Sequence, residues 1–344
     1  MGKLLNKKKA ARTISRTRIT VAFILIVVLI IITFIASLMS GSIDISIKEI
    51  FDSLFGEMSQ NAGVVYDVRL PRLLIALLAG AALAVSGTLL QAVMKNPLTD
   101  PGIIGISSAA ALMAAIISGF FPMLFYSIPI FALMGGVIAY LLIYAIAWDG
   151  GVQPVRLILV GVALNLIFMG LTQAILSFGG GGANLTQTQS IVNGSITQKT
   201  WSDVRLLAGY TSIALILAVL VFRKCNLLLL DDRTARGLGV NVDRDRFMVA
   251  MIGIVLASVA TSIVGPIGFV GLLVPHIGRM IVGARHGALI PFAALAGAWL
   301  LLFSDTVGRL IAYPFEIPAA ILMSIIGGPF FIVLLKIGGR DYGS

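Results

Sequence analysis

Apolar residues in this chain are gathered into blocks long enough to cross a bilayer, and that pattern removes most folds from consideration. The hydrocarbon layer is about 30 Å thick and offers no partner to a backbone N–H or C=O, so a crossing segment must close its own hydrogen bonds, as a helix does. Blocks with few charges run near residues 19–39, 70–94, 103–121, 123–147, 155–178, 206–222, 247–264, 267–283, 288–304 and 317–336. They predict an all-α polytopic membrane protein of about ten transmembrane helices. The punctuation is thin in two places, Phe121-Pro122 and Gly265-Pro266. Composition agrees: with 58% hydrophobic and 12% charged residues and a mean hydropathy of +1.03, the chain lies outside the balance of a soluble domain. A single cysteine, Cys225, excludes a disulfide within the chain and any cysteine-based zinc or iron–sulfur site.

A basic tail, residues 1–18, precedes the first block and resembles the n-region of a signal peptide. The apolar run after it is longer than an h-region and no A-x-A site follows, so the first block is expected to stay as a helix. Basic residues are retained preferentially on the cytoplasmic side. With the tail inside and ten crossings, nineteen of the 25 Lys and Arg residues fall inside, leaving Lys48, Arg69, Arg72, Lys199, Arg205 and Arg309 outside. Both termini, including the short tail 339–344, are then cytoplasmic. The net charge of +10 is accounted for by loops and lipid headgroups, with no nucleic-acid partner.

Three hydrophilic stretches are long enough to act outside the hydrocarbon. Two are outer: 41–69, with apolar spacing that suggests a surface-lying helix, and 179–205, which opens on four glycines. The third, 223–246, is inner and mixes four aspartates with six basic residues. Its centre, Ala235-Arg236-Gly237-Leu238-Gly239-Val240, reads as a short helix, a glycine break and a second short helix, a shape suited to a groove on another protein.

The segment 69–102 is the most informative. Arg69-Leu70-Pro71-Arg72 leads into a helix carrying Gly80, Ala81, Ala82, Ala84, Ser86 and Gly87, then Gln91 and Asn96-Pro97-Leu98-Thr99-Asp100-Pro101-Gly102. Small residues at this density allow close helix approach and predict a central helix. The two arginines, three apart, share a face at its outer mouth, where their charges are expected to stay hydrated and to meet an acidic partner.

This segment, with Gly268-Phe269-Val270-Gly271-Leu272-Leu273-Val274-Pro275-His276-Ile277-Gly278-Arg279 and with Ser304-Asp305-Thr306-Val307-Gly308-Arg309, Glu316-Ile317-Pro318 and Gly327-Gly328-Pro329, resembles the FecCD-like permeases of iron-siderophore, haem and cobalamin ABC importers. The resemblance spans roughly residues 20–338. It implies a type II importer fold like that of the cobalamin permease, in which 19–338 is one permease domain in the bacterial cytoplasmic membrane. It further implies a second permease subunit, the same or homologous, two cytoplasmic ATPase subunits and an extracytoplasmic substrate-binding protein. The chain has no G-x-x-x-x-G-K-[ST] loop to cradle phosphates, so ATP and Mg²⁺ belong to the ATPase and this chain is expected to bind no cofactor and catalyse nothing.

Carried onto matching positions, the resemblance makes Arg69, Arg72 and Arg309 docking residues for the binding protein and Ala235 to Val240 the loop that couples to the ATPase. Gly150-Gly151-Val152-Gln153 corresponds to a cytoplasmic gate. Asn165, Thr172 and Gln173 lie on the path-lining fifth helix, where polar groups must face protein or water. His276 has no ligand-spaced partner and reads as a structural hydrogen-bonding residue, so no metal site is expected. The cargo favoured by family frequency is a ferric siderophore, with haem or cobalamin as alternatives. An ion-coupled secondary transporter would need acids inside the spans, and an intramembrane enzyme a nucleophile–base or metal constellation; the sequence offers neither.

Overall fold

The computed structural model describes residues 15–40, 63–147, 154–178, 194–312 and 315–338. Among these it is helical throughout its ordered elements. In chain order they are α1 (Arg16–Met39), a π-helical turn (Val64–Arg69) continuous with α2 (Leu70–Met94), α3 (Ile106–Phe120), a 3₁₀ turn (Pro122–Ser127), α4 (Ile128–Ala147) and α5 (Pro154–Phe178). Then come α6 (Trp201–Leu220), α7 (Phe222–Leu228), α8 (Asp232–Gly237), α9 (Val242–Val264), α10 (Val270–Val282), α11 (His286–Ile311) and α12 (Ala319–Gly338). Ten of these coincide with the ten apolar blocks, and the chain is a multi-pass membrane protein. Seven spans are long and apolar enough to cross a membrane, the π-helical turn and α2 counting as one; α3, α10 and the apolar part of α12 are shorter.

The ends follow from local chemistry. Ser15 Oγ accepts the Arg18 N–H at the start of α1, and Asn241 Oδ1 accepts the Arg244 N–H at the start of α9. Thr200 and Asp203 form a reciprocal capping box that starts α6 at Trp201, several residues ahead of its apolar block. The helix α11 runs seven residues past its expected end at 304, carrying Asp305 and Arg309 inside it.

The helix α2 is the core of the molecule, buried along almost its whole length and packed on α9, α10 and α11. Its contact with α11 is backbone to backbone. A Cβ added to Gly80 would stand 2.2 Å from the Gly297 carbonyl oxygen, so only glycine fits there. The small-residue stripe is therefore an interface between helices, as its composition predicts. In contrast α1 and α5 keep long apolar faces uncovered, with Leu25, Ile32, Leu159 and Leu166 more than half exposed; these faces need lipid or another subunit.

The bundle has two distinct ends. At one, the platform end, the start of α1 meets the end of α10 through the bond from Arg18 to the Met280 carbonyl, and Lys95 after α2 reaches the α7–α8 segment. At the other, the mouth end, the last turn of α1, the start of α2 and the end of α11 converge.

The short helices α3 and α10 begin within the bundle. At 1.5 Å per residue their 15 and 13 residues give about 22 and 20 Å, well short of the hydrocarbon thickness. The remaining depth is taken by the irregular stretches before them, which meet around Asp100 and Gly271. Asp100 Oδ1 accepts the Gly102 N–H at 2.8 Å, and its other oxygen lies against Gly271 at the start of α10. Gln91 from α2 completes the junction, donating to the carbonyls of Thr99 at 3.1 Å and Gly271 at 2.9 Å while accepting from Arg279.

Candidate functional site

At the mouth end the three arginines singled out in the sequence are together, but not as free cations. Arg72 lies with Nε 2.9 Å from Asp305 Oδ2 and Nη2 2.9 Å from Asp305 Oδ1, a bidentate pair. Its Nη1 donates to both oxygens of Glu316, at 2.9 and 3.1 Å. Arg309 donates to the Ser37 hydroxyl and to the carbonyls of Ser37 and Ser40, and its Nε is 3.7 Å from Asp305 Oδ2. Arg69 donates to the Leu38 carbonyl.

Hydration of Arg69 and Arg72 is thus corrected. Arg69 is 6% exposed and the Arg72 side chain 13%, because α1, α11 and the segment before α12 close over the start of α2. In the sequence Asp305 and Glu316 stand out only as members of the resembling motifs, unpaired with Arg72. The pairing spans 233 and 244 residues and leaves no local spacing signal.

At the platform end the segment 223–246 forms α7, α8 and the first turn of α9. Its second helix is not short: it is the beginning of a 23-residue span. Between α8 and α9, Gly239 has φ +81°, a left-handed conformation that reverses the chain, and a Cβ there would meet open space. Leu238 beside it is 65% exposed, an apolar side chain presented at the apex of a polar turn. Of the six residues, Ala235 is buried, Arg236, Gly237, Leu238 and Gly239 are exposed, and Val240 is half-buried.

The charges beneath this turn are tied together. Asp232 accepts from Lys95 at 2.6 Å and from Arg246 at 3.1 Å, and Lys224 pairs with Asp245. Partial burial alone would raise the Asp232 pKa, but the Lys95 hydrogen bond and the Arg246 and Lys95 charges outweigh it and hold the carboxyl below the ordinary aspartate range. The exposed apex therefore stands on a cross-braced base.

Between the two ends, Asn165, Thr172 and Gln173 line a common cavity of about 440 Å³. The opposite wall is the broken-helix junction: Asp100, Gly102, Ser107 and Ser108 on the α3 side, Pro266, Gly268 and Phe269 on the α10 side. The structure thus joins the three path candidates to the N-P-L-x-x-P segment, which the sequence reading had used only for its resemblance. Two polar atoms of cavity-lining residues, Asp100 Oδ2 and Ser107 Oγ, are buried without an aligned hydrogen bond. Gly150 to Gln153 lie outside the described residues, as do residues 41–62 and 179–193 of the two stretches expected to be outer. His276 packs edge-on against Phe330 at 5.8 Å. His286, the first residue of α11, is buried and bonded through Nδ1 to Asn226 Oδ1 at 2.9 Å.

Comparisons with known proteins agree with this layout. A relative named as the probable heme-iron transport system permease protein IsdF, from Staphylococcus aureus strain bovine RF122 / ET3-1, is 40% identical over 314 residues, covering 91% of this chain and 94% of the relative. Its counterpart in Staphylococcus aureus strain Newman matches to the same extent. A solved structure assigned as a metal-chelate type ABC transporter in an inward-facing conformation superimposes with a TM-score of 0.80 at 30% identity, covering 92% of this chain and 99% of the other. PsaBC from Streptococcus pneumoniae, in complex with Fab, shares the fold, with a TM-score of 0.57 at 18% identity over 84% of this chain and 95% of its own. The model of the FecCD transport family matches residues 29–336. With a helical bundle of that type and a match along nearly its whole length, this chain belongs to the FecCD transport family, as a permease subunit of an ABC importer of the metal-chelate or haem type.

Proposed function

We propose that this chain carries an iron chelate, with haem as the first candidate, from an extracytoplasmic binding protein to the cytoplasm. On this reading the mouth end faces outward and receives the binding protein, and the Leu238–Gly239 apex sits in a groove of a cytoplasmic ATPase. Closure of the ATPase pair on ATP pulls on that apex and switches access to the path. A second permease, identical or homologous, covers one of the exposed apolar faces.

The observation that carries this reading is a cavity with polar residues in its wall, lying between a cluster of arginines and a braced turn. Asn165, Thr172 and Gln173 give a path of hydrogen-bonding groups where lipid would tolerate none. Haem stands ahead of a ferric siderophore because the relative at 40% identity is named for heme-iron transport; family frequency, which favours siderophores, says nothing about this chain.

Reconstitution in proteoliposomes with the ATPase and binding protein tests both levels. ATP-dependent uptake of haem, with no uptake of ferric hydroxamates or catecholates, is the expected result. Uptake driven by an ion gradient in the absence of the ATPase would refute the importer reading. ATP-dependent uptake of a ferric siderophore alone would move the cargo assignment and leave the mechanism standing.

A further inference from the structure

The guanidinium of Arg72 has two edges in different surroundings. Its inner edge, Nε and Nη2, is held by Asp305, whose side chain is 2% exposed and fixed within the last two turns of α11. Its outer corner, Nη1, is held by Glu316, whose side chain is 40% exposed and belongs to the short segment between α11 and α12. The first pair is shielded from water and salt. The second is open to both, and an exposed carboxylate–arginine contact holds only weakly against competing ions.

We infer that Glu316 is an exchangeable counter-ion: it occupies Nη1 of Arg72 in the undocked protein and gives that position up to a carboxylate of an acidic partner protein. The inference rests on the docking reading above and adds to it which bond is exchanged. Among the described residues the ionisable groups around this point are Arg69, Arg72, Asp305, Arg309 and Glu316, three positive and two negative. Asp305 is buried between Arg72 and Arg309 and cannot leave without uncovering the inner edge of Arg72. Glu316 can. Its neighbour Ile317 is anchored separately, donating its N–H to the Gly308 carbonyl at 3.1 Å, so the Glu316 side chain can swing to solvent without unseating the start of α12.

Such an arrangement selects partners. A lone anion meets a guanidinium already satisfied on both edges, and among the described residues the five charged groups at this point sum to one net positive charge. A protein that brings a carboxylate held in register with other contacts can replace Glu316 at little cost, because one charged pair is exchanged for another of the same kind. Glu316 thereby sets a threshold on the acidity and fit of what docks.

Binding of the cognate substrate-binding protein to the full transporter in nanodiscs, at low and high salt, tests this with two variants. Glu316→Gln is expected to tighten binding by about two- to five-fold at low salt, with the gain fading as salt rises. Arg72→Gln is expected to weaken binding by tenfold or more; if that variant fails to assemble, Arg72→Lys replaces it, with the same order of affinities expected. Unchanged or weaker binding by Glu316→Gln, beside weakened binding by the Arg72 variant, overturns the exchange and leaves docking in place. Full binding by the Arg72 variant overturns docking itself.

Discussion

Arg72 on α2 and Asp305 on α11 meet through two parallel 2.9 Å contacts, although 232 residues separate them in the chain. The pair is buried, so its desolvation is offset only while both partners stay and the geometry holds. Replacing Asp305 by Ala leaves the Arg72 guanidinium with one exposed partner and removes the acid nearest Arg309. The expected loss is about 3–5 kcal/mol, read as a lower unfolding temperature in detergent or nanodiscs. Asp305→Asn keeps an acceptor and is expected to lose less.

The Gly80–Gly297 contact gives a second test. The added methyl of Gly80→Ala points at a backbone carbonyl 2.2 Å away, and no rotamer change relieves a backbone clash. The helices must separate, which is expected to cost about 1–3 kcal/mol or more. Limited proteolysis of the membrane-embedded protein should show faster cleavage. At Gly63, where a Cβ meets nothing, the same substitution should be silent.

The platform should respond to acid. The Asp232 carboxyl titrates lower when folded than when unfolded, so its pairs with Lys95 and Arg246 contribute stability fully above the unfolded pKa of about 3.9. That contribution fades as pH falls below this value through the folded pKa. Hydrogen exchange of amides 231–246 should be flat from pH 7 to about 5, after correction for intrinsic rates, and rise below about 4. Asp232→Asn should show the loosened pattern at neutral pH.

At Gly239 a side chain would find space but not conformation. Gly239→Val must hold a β-branched residue at φ +81°, at an expected cost of about 1–2 kcal/mol, and the apex will relax to another shape. The expected outcome is normal membrane insertion with loss of ATPase copurification, while Gly239→Asn, which tolerates the left-handed region, retains most of it.

Much of the fold was legible because lipid imposes a length rule that hydropathy reads directly. The rule fails where backbone leaves the helix without leaving the bundle. Ile103, Ile104, Ile267 and Phe269 are as apolar as the helices they precede, so α3 and α10 read as full spans near 103–121 and 267–283. Their missing turns are compensated by Asp100 and Gln91, whose partners are brought in by tertiary packing. The mouth arginines were likewise legible by position and not by state, because burial there depends on carboxylates from α11 and from the segment before α12. Thr172, a fully expected polar residue on α5, acquires its cavity only when the Asp100 segment is folded beside it.

The two short helices bear on how the protein is made. In its folded form a helix of 13 or 15 residues is too short to cross the hydrocarbon by itself, and the irregular backbone ahead of it would carry open hydrogen bonds into lipid. Segments α3 and α10 must therefore be held until Gln91, Asp100 and Gly271 can meet, which happens only after α10 has been synthesised. Maturation of this protein is gated late in translation, and truncations ending before residue 270 should be cleared by membrane quality control rather than accumulate as partial bundles.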